Sequence, residues 1–438
     1  MSALSAARQQ PHEGAGGGMW RWLSAGGIVA VLAVAFVLRA GAAWVWQARR
    51  PPEAPFAFGD SASYWHLAER IARGEPYAYP DKRARVFRTP LYPMVLAPLF
   101  WLWRGDPPVL AARMLGALLG TWAVWEVWRL ARELGGERSG WWAALLAAIY
   151  PGAVAMSVFV LAEALFCPLM VVHLRWWVRS HRRASAGEAY GGAAAGAGIG
   201  AALATLARPS WLLFVPFGLV VSCADRRLRG ARRWRWAGLT VLGFVVAMAP
   251  WWYRNYRVTG HVVLTTLQVG ASLYDSWHEG ATGASDMAFT RPFERAFASQ
   301  WDSKRDGDYE VALDRAYRRA AWEWAREHPG RVFQLAGVKF WRMWRPWPSA
   351  AIFSGGAIRL GVAAGFLPVL VLGAVGWWRC RGQGWPIWLL ACPAVYFTIL
   401  HVVFVSSIRY RQPAMLVWCV PAGWALAVIV RRWRTAGA

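Results

Sequence analysis

Residues 59–93 read GDSASYWHLAERIARGEPYAYPDKRARVFRTPLYP and follow the first hydrophobic span, which ends near Trp46 and Gln47. The stretch begins with a single acid, Asp60, continues as a short amphipathic segment, and closes with an arginine-rich turn between prolines. Charged groups this close to a hydrophobic span are costly unless they pair or serve a function. The stretch therefore predicts a polar site at the membrane boundary.

The same stretch contains the pattern of a short helix. Its apolar residues recur at i, i+3, i+4 and i+7, which is one face of a helix, and they are Tyr64, Leu67, Ala68 and Ile71. We expect a helix over residues 61–73, with Asp60 or Ser61 as its N-cap and Gly74 as its stop signal.

The composition is that of a membrane protein. Of the 438 residues, 57% are hydrophobic, and the 33 tryptophans are frequent at span ends, where amphipathic rings settle in a bilayer. A net charge of +25 would indicate nucleic-acid binding in a soluble protein. Here the arginines lie in short loops between apolar spans, so they are better explained as topology signals and contacts to anionic lipids, and we expect no nucleic-acid partner.

Apolar stretches of about 17–25 residues predict an all-α, polytopic membrane protein with about ten transmembrane helices, within a range of about eight to twelve. We expect a disordered tail over residues 1–18 and one transmembrane domain over residues 19–438. The predicted spans are 20–46, 107–130, 139–154, 156–178, 193–208, 210–223, 236–253, 358–379, 385–405 and 412–431.

Basic loops predict the orientation of these spans. Residues 175–183, 225–235, 379–381 and 431–434 are rich in arginine, and the positive-inside rule assigns them to the cytoplasm. Both termini are then cytoplasmic, and two large loops, residues 47–106 and 254–357, lie on the outer side.

Three segments of these outer loops are predicted helices. Residues 90–104 are apolar enough to resemble a span, but a full crossing would reverse every later basic loop, so we interpret them as a helix lying at or dipping into the outer interface. The same argument applies to residues 331–347, which are amphipathic and flanked by Pro346 and Pro348. Residues 309–328 form the third helix, which Pro329 and Gly330 terminate. Its predicted apolar face consists of Leu313, Ala316, Tyr317, Ala320 and Trp324.

Two acids are candidates for chemistry. Asp60 could cap the first-loop helix or act as a general base at the membrane surface, and the two roles are compatible. Glu163 lies in the fourth predicted span toward its outer end, where an ionisable residue pairs inward or serves function. Its structural alternative is a pair with Arg113 or Arg208.

Arginines at the outer ends of spans are the matching cations. Guanidinium groups bind lipid phosphate well, although some of these side chains are expected only to snorkel to head groups. The candidates and their polar neighbours are Arg88, Arg208, Arg254, Asn255, Arg409, Tyr410 and Arg411.

The sequence indicates no resident metal or cofactor. The five cysteines are scattered without metal-ligand spacing. His278 stands in a polar turn with Asp275, Glu279 and Asp286 and could ligate a metal with them, but a loop histidine is more often solvated.

Six motifs in order make the chain similar to a known family. They are GDSASYW at 59–65, RTPLYP at 88–93, LAEAL at 161–165, RPS at 208–210, APWWYRNYRVTG at 249–260 and RYRQP at 409–413. With them the chain resembles the membrane-embedded type C glycosyltransferases, in the group related to protein O-mannosyltransferases and aminoarabinose transferases.

The resemblance implies transfer of a sugar from a polyprenyl-phosphate donor on the non-cytoplasmic face. Asp60 takes the place of the first-loop catalytic acid, Glu163 that of a further site acid, and the arginines, together with Tyr92 of RTPLYP, would bind the donor. Many relatives have an Asp-Glu pair where this chain has Asp60 and Ser61. A second acid must therefore come from elsewhere, or the role is single.

The expected function is thus that of a glycosyltransferase in the bacterial plasma membrane, with a lipid-linked sugar donor and membrane lipids as partners. The acceptor, whether lipid, glycan or protein, stays open. The alternatives are a flippase or secondary transporter for lipid-linked saccharides, or a structural scaffold. Transporters often contain paired repeats with broken helices, and no such pairing is present in the sequence. The two large outer loops separately favour an enzyme with its site at the membrane surface, and a scaffold would not need acids within spans.

Overall fold

The computed structural model describes residues 17–301 and 308–436, and within these ranges every regular element is helical. This confirms the predicted all-α class. The predicted tail lies outside the described residues except for its last two residues, which belong to α1. The α-helices are α1 (Gly17–Ala48), α2 (Gly59–Ala72), α3 (Leu91–Leu102), α4 (Val109–Ile149), α5 (Pro151–Val158), α6 (Glu163–Ala186), α7 (Gly191–Ala207), α8 (Phe214–Cys223), α9 (Gly230–Thr259), α10 (Val269–Ser276), α11 (Thr290–Ser299), α12 (Tyr309–Glu327), α13 (Pro329–Trp344), α14 (Gly356–Cys380), α15 (Trp385–Val403) and α16 (Gln412–Ala436).

Five described helices are long and apolar enough to cross a membrane, which agrees with a polytopic membrane protein. They are Gly27–Ala48, Gly230–Thr259, Gly356–Gln383, Trp385–Val403 and Ile408–Trp433. Val109–Ile149 and Pro151–Val158 would together form a sixth span, bent by 56°. The number of ten spans and their orientation stay predictions.

A glycine divides α4 into two segments. Gly136 has a φ of 80°, a conformation that glycine adopts without steric cost. Beyond it, a Cβ placed on Gly140 would lie 3.1 Å from the side chain of Trp128, so the segments before and after the break are in contact. The break lies between the predicted spans 107–130 and 139–154, whose division into two crossings stays a prediction.

The predicted first-loop helix is present as α2, but its beginning differs from the prediction. The N-cap is Phe58, so Asp60 lies inside the first turn and its carboxylate caps nothing. Tyr64 and Leu67 of the predicted apolar face are buried, and the chain leaves the helix at Gly74 with a φ of 69°. The carboxylate of Asp60 is therefore free to form contacts outside its own helix.

Two helices in the predicted outer loops, α3 and α13, have the features expected of interfacial helices. The 12 residues of α3 extend over about 18 Å, which is too short to cross a bilayer. In α13, Leu335 and Met343 are buried, whereas Phe333 and Trp341 are exposed on the opposite side. That exposed apolar face fits a helix lying at the membrane surface.

The third predicted helix, α12, is present but buries a different face. Of the predicted apolar residues only Tyr317 is buried, and the acids Glu310 and Asp314 are buried beside it. Asp314 accepts a hydrogen bond of 2.6 Å from the amide of Gly270 and pairs with Arg318 at 2.7 Å. Hydrophobic periodicity missed this face because two of its residues are acids that bind backbone or arginine groups.

Candidate active site

Two acids and three arginines predicted from the sequence meet in one chain of ion pairs. Asp60 Oδ1 lies 2.6 Å from Arg88 Nη2, and Asp60 Oδ2 lies 3.1 Å from Arg409 Nη1. Arg409 also binds the Glu163 carboxylate through Nε and Nη2. Arg208 Nη1 lies 2.6 Å from Glu163 Oε1. Arg409 thus connects the two acids by pairing with both Asp60 and Glu163.

Helix ends bring these side chains together. Asp60 lies in the first turn of α2 and Glu163 is the first residue of α6, where helix dipoles favour negative charge. Arg208 ends α7 in an extended conformation, as the following Pro209 requires. Arg409 belongs to a short 3₁₀-helix that leads into α16.

Neutral groups hold the arginines in place. Arg88 donates from Nε to Ser63 Oγ over 3.0 Å and from Nη1 to Gln268 Oε1 over 2.5 Å. Arg208 donates from Nε to Ser210 Oγ over 3.0 Å. Sequence reasoning did not single out these three partners. Ser63 and Ser210 stand within the quoted motifs, whereas nothing in the sequence marks Gln268.

The two acids differ in how far their side chains are exposed to solvent. The side chain of Asp60 is 33% exposed, whereas that of Glu163 is 0% exposed and pairs with Arg208 and Arg409. Three guanidinium groups face two carboxylates, which leaves one positive charge in excess. A reactant can therefore touch Asp60 directly, and the site as a whole favours an anionic ligand.

Asp60 is held in its ionised form. Burial opposes its ionisation, but the guanidinium groups of Arg88 and Arg409 outweigh burial and hold the pKa of Asp60 well below its usual range. The same pairing raises the pKa of Arg88 in spite of burial. The ion pair therefore stays charged throughout the physiological pH range.

The two predicted tyrosines contribute aromatic contacts. The Tyr410 ring stacks on His401 with centroids 4.0 Å apart, and the guanidinium carbon of Arg208 lies 5.3 Å from the Tyr410 ring centroid. Tyr92 is buried and packs edge-to-face against Tyr64 at 5.2 Å. Tyr410 therefore borders the ion pairs, and Tyr92 lies beneath them as packing.

Arg254 and Asn255, which were predicted to bind the donor, hold loop backbone instead. Arg254 donates to the carbonyl oxygens of Arg85 at 2.7 Å and Tyr77 at 3.2 Å. The Asn255 amide donates to the carbonyl of Val263 at 3.0 Å. Loop carbonyl groups need partners when they are buried, and these side chains supply them.

Arg411 is also placed away from the ion pairs. Its Nη1 donates to the carbonyl oxygens of Met343 at 2.8 Å and Arg345 at 2.6 Å, at the end of α13. The last carbonyl groups of a helix lack partners within the helix and attract cations. Arg113, one of the two alternative partners for Glu163, binds the carbonyl oxygens of Pro55 and Val158 instead.

The polar turn around His278 is ordered by its own hydrogen bonds. Asp275 accepts from the Ser285 hydroxyl at 2.8 Å and from the amide of Asp286 at 3.0 Å, and His278 Nδ1 lies 2.9 Å from the carbonyl of Tyr274. Within residues 17–301 and 308–436, no group of three or more His, Cys, Asp or Glu side chains could hold a metal ion.

Glu310 fixes the loop that carries Arg88. Its carboxylate accepts hydrogen bonds from the amides of Arg85 at 2.8 Å and Val86 at 3.0 Å. Burial raises the pKa of Glu310 from its ordinary 4.5 to about 7. The folded protein then holds a proton that the unfolded chain has released between these pH values, so stability falls as pH rises through this window.

Replacing Glu310 by glutamine is expected to remove this part of the pH dependence. Glutamine keeps an acceptor for the two amides but cannot ionise, so the variant should gain a few degrees in unfolding temperature relative to wild type between pH 5 and pH 7.5. Thermal unfolding across this range measures the difference. Glu279→Gln is the control, because Glu279 is an exposed acid in the same predicted outer loop as Glu310, residues 254–357. Equal pH profiles for all three proteins would contradict the raised pKa of Glu310.

Comparisons with known proteins agree with this architecture. Residues 88–253, which include Arg88, Glu163 and Arg208, match the family model described as dolichyl-phosphate-mannose-protein mannosyltransferase. The fold is similar to that of the oligosaccharyltransferase AglB from Archaeoglobus fulgidus, solved in complex with an inhibitory peptide and a dolichol-phosphate. The TM-score is 0.57 at 15% identity, and the match covers 95% of this chain and 52% of that chain.

Two further solved structures match this chain. The apo form of the Archaeoglobus fulgidus enzyme has a TM-score of 0.56 at 15% identity, with 95% of this chain and 52% of that chain covered. ArnT from Cupriavidus metallidurans bound to undecaprenyl phosphate matches over 93% of this chain and 78% of that chain, at 15% identity and a TM-score of 0.41. Comparison with curated proteins gives no match.

The chain spans about half the length of the oligosaccharyltransferase structures that it matches. Within that length it shares the fold of the Archaeoglobus fulgidus oligosaccharyltransferase. Together with the match of residues 88–253 to the mannosyltransferase family model, this confirms the resemblance predicted from the motifs.

Proposed function

We propose that the protein is a glycosyltransferase that moves a sugar from a polyprenyl-phosphate donor to an acceptor on the non-cytoplasmic face of the plasma membrane. The chain of ion pairs carries this proposal, because its three arginines leave one positive charge in excess beside the exposed Asp60. Guanidinium groups bind phosphate with paired, charge-assisted hydrogen bonds. The dolichol-phosphate bound to AglB supports a ligand of the same chemistry here.

The chemistry follows from the donor. The acceptor hydroxyl attacks the anomeric carbon, the bond from that carbon to the phosphate oxygen breaks, and its electron pair leaves with the polyprenyl phosphate. Asp60 accepts the hydroxyl proton, and Arg88, Arg208 and Arg409 stabilise the charge on the departing phosphate. A single displacement of this kind inverts the anomeric configuration.

Donor binding and base strength are coupled in this arrangement. A phosphate group competes with the carboxylates for the guanidinium groups of Arg88 and Arg409. As Asp60 loses these contacts, its pKa rises toward its ordinary range and it becomes a stronger base. Glu163 is fully buried, so we assign it a positioning role, in which it holds Arg208 and Arg409 in place.

Purified protein in lipid nanodiscs, incubated with a panel of radiolabelled polyprenyl-phosphate sugars, tests this proposal. We expect one donor to be consumed, with release of its sugar to water or to a supplied acceptor, and inhibition by free undecaprenyl phosphate. Transport assays in sealed proteoliposomes test the alternative, a transporter for lipid-linked saccharides. Movement of intact donor across the bilayer, without cleavage of any donor in the panel, would favour a transporter and overturn the enzyme.

A further inference from the structure

A cavity of about 310 Å³ lies between the two predicted outer loops. Residues 80–87 form one wall, and α10, α11 and α12 form the others. Its volume is near the lower end of the range for small-molecule sites. None of its lining residues belongs to the chain of ion pairs, so it is a second site with its own composition.

The cavity adjoins the ion pairs through two lining residues. Gln268 lines it and accepts the 2.5 Å hydrogen bond from Arg88 Nη1, and Arg88 in turn pairs with Asp60 at 2.6 Å. Phe87 also lines it, and its ring centroid is 4.6 Å from the guanidinium carbon of Arg88. A molecule in the cavity therefore lies next to the arginine that holds the proposed base.

The lining combines aromatic faces with charges of both signs. Its rings are Phe87, Tyr309 and Tyr317, its cations are Arg83, Arg291 and Arg295, and its acids are Asp81, Glu294, Glu310 and Asp314. Even when Glu310 is protonated, three acids balance the three cations, so this cavity has no excess positive charge, in contrast to the ion-pair site. A phosphate or another anion is therefore not the ligand that this cavity favours.

This composition matches a compound with many hydroxyl groups. Each hydroxyl both donates and accepts, so it needs carboxylate acceptors and guanidinium donors within reach. The C–H face of a sugar ring is apolar and packs against aromatic rings. A lipid acceptor would need apolar walls open to the bilayer, whereas this cavity is built from outer-loop segments with seven charged side chains.

We propose that this cavity binds the acceptor and that the acceptor is a saccharide. The assignment rests on the proposed glycosyl transfer and specifies the substrate class that the transfer serves. It divides the molecule into a donor site at the ion pairs and an acceptor site behind Phe87 and Gln268.

Ligand-observed saturation-transfer NMR on protein in nanodiscs tests the assignment without any donor. The probes are methyl mannoside, methyl glucoside, methyl galactoside and maltotriose, and maltoside detergents are avoided because they carry a competing sugar. Ala298→Trp fills the cavity from α11, and Ala296→Trp alters an exposed residue of the same helix that does not line it. We expect wild type and Ala296→Trp to bind at least one saccharide, and Ala298→Trp to bind it at least tenfold more weakly.

Two results with the saccharide panel would overturn the acceptor assignment. One is that wild type binds no saccharide in the panel, and the other is that both variants bind as wild type does. Binding of serine- and threonine-rich peptides that Ala298→Trp abolishes would assign the cavity to a protein acceptor and overturn it equally. Because donor cleavage is measured separately, failure of the glycosyltransferase function would appear as an inactive donor panel with saccharide binding retained.

Discussion

Replacing Asp60 by asparagine is expected to lower the rate of sugar transfer by about 10²–10⁴-fold, the usual contribution of a general base. Asparagine keeps the size of the side chain and one acceptor oxygen for Arg88, but it cannot take the acceptor proton. Because Asp60 is 33% exposed, loss of its charge leaves the fold intact. The change also removes one negative charge from the site, so donor affinity should be unchanged or higher.

Single-turnover rates and donor binding, measured on the same nanodisc preparation, separate the two effects. Asp106→Asn is the matched control, since Asp106 is an exposed acid in the same predicted outer loop and should transfer at the wild-type rate. Turnover of Asp60→Asn equal to that of wild type would remove Asp60 from the mechanism. A rate loss that comes entirely from weaker donor binding would make Asp60 a binding group and not the base.

Much of the helical architecture follows from local rules of sequence. The i, i+3, i+4, i+7 pattern before Gly74 is sufficient to predict α2. The existence of α12 and its end before Pro329 were also predicted, but its buried face was not. The interpretation that α3 does not cross the membrane came from the whole chain, because a crossing there would reverse every later basic loop. The 12-residue length of α3 agrees with this interpretation. The predicted N-cap of α2 was wrong, because the carboxylate of Asp60 pairs with Arg88 and Arg409 and not with the first backbone amides of its own helix.

The residues of the candidate site could be predicted from the sequence, but most of their pairings could not. Asp60, Glu163, Arg88, Arg208 and Arg409 could be predicted because an ionised group near an apolar span is costly and must find an opposite charge. The pairing of Glu163 with Arg208 was one of two predicted alternatives, and the structure contains it. The partners of Asp60 and the sharing of Arg409 could not be predicted, because backbone carbonyl groups compete for guanidinium groups and sequence patterns do not locate them.

Arg409 and Arg411 illustrate this competition at neighbouring positions. Both belong to the 3₁₀-helix Ile408–Arg411, in which residues two apart differ by about 240° in direction. Arg409 consequently faces the two acids, while Arg411 faces the carbonyl groups at the end of α13. The sequence motif RYRQP assigned both to one site, but the helical geometry separates them.

Removing Arg409 is expected to be the most damaging change, because this residue pairs with both acids and one of them is fully buried. Arg409→Met leaves the Glu163 carboxylate with a single arginine in a buried setting, and loss of one partner of a buried pair costs about 3–5 kcal/mol of stability. Donor binding should fall as well, since the excess positive charge is lost. Heat survival of the folded fraction, followed by size-exclusion chromatography, and donor binding measure the two effects.

The double variant Arg409→Met with Glu163→Gln separates folding from function. Removing the buried charge together with its partner should restore most of the lost stability, because the penalty belongs to the unpaired carboxylate and the two changes are coupled. Transfer should stay low, because the arginine that binds the phosphate is still absent.

Arg411→Met serves as the comparison, since it should reduce stability through α13 without changing donor affinity in the protein that remains folded. Recovery of wild-type transfer in the double variant would mean that Arg409 only neutralises Glu163, and the phosphate would then have to bind at Arg88 and Arg208 alone.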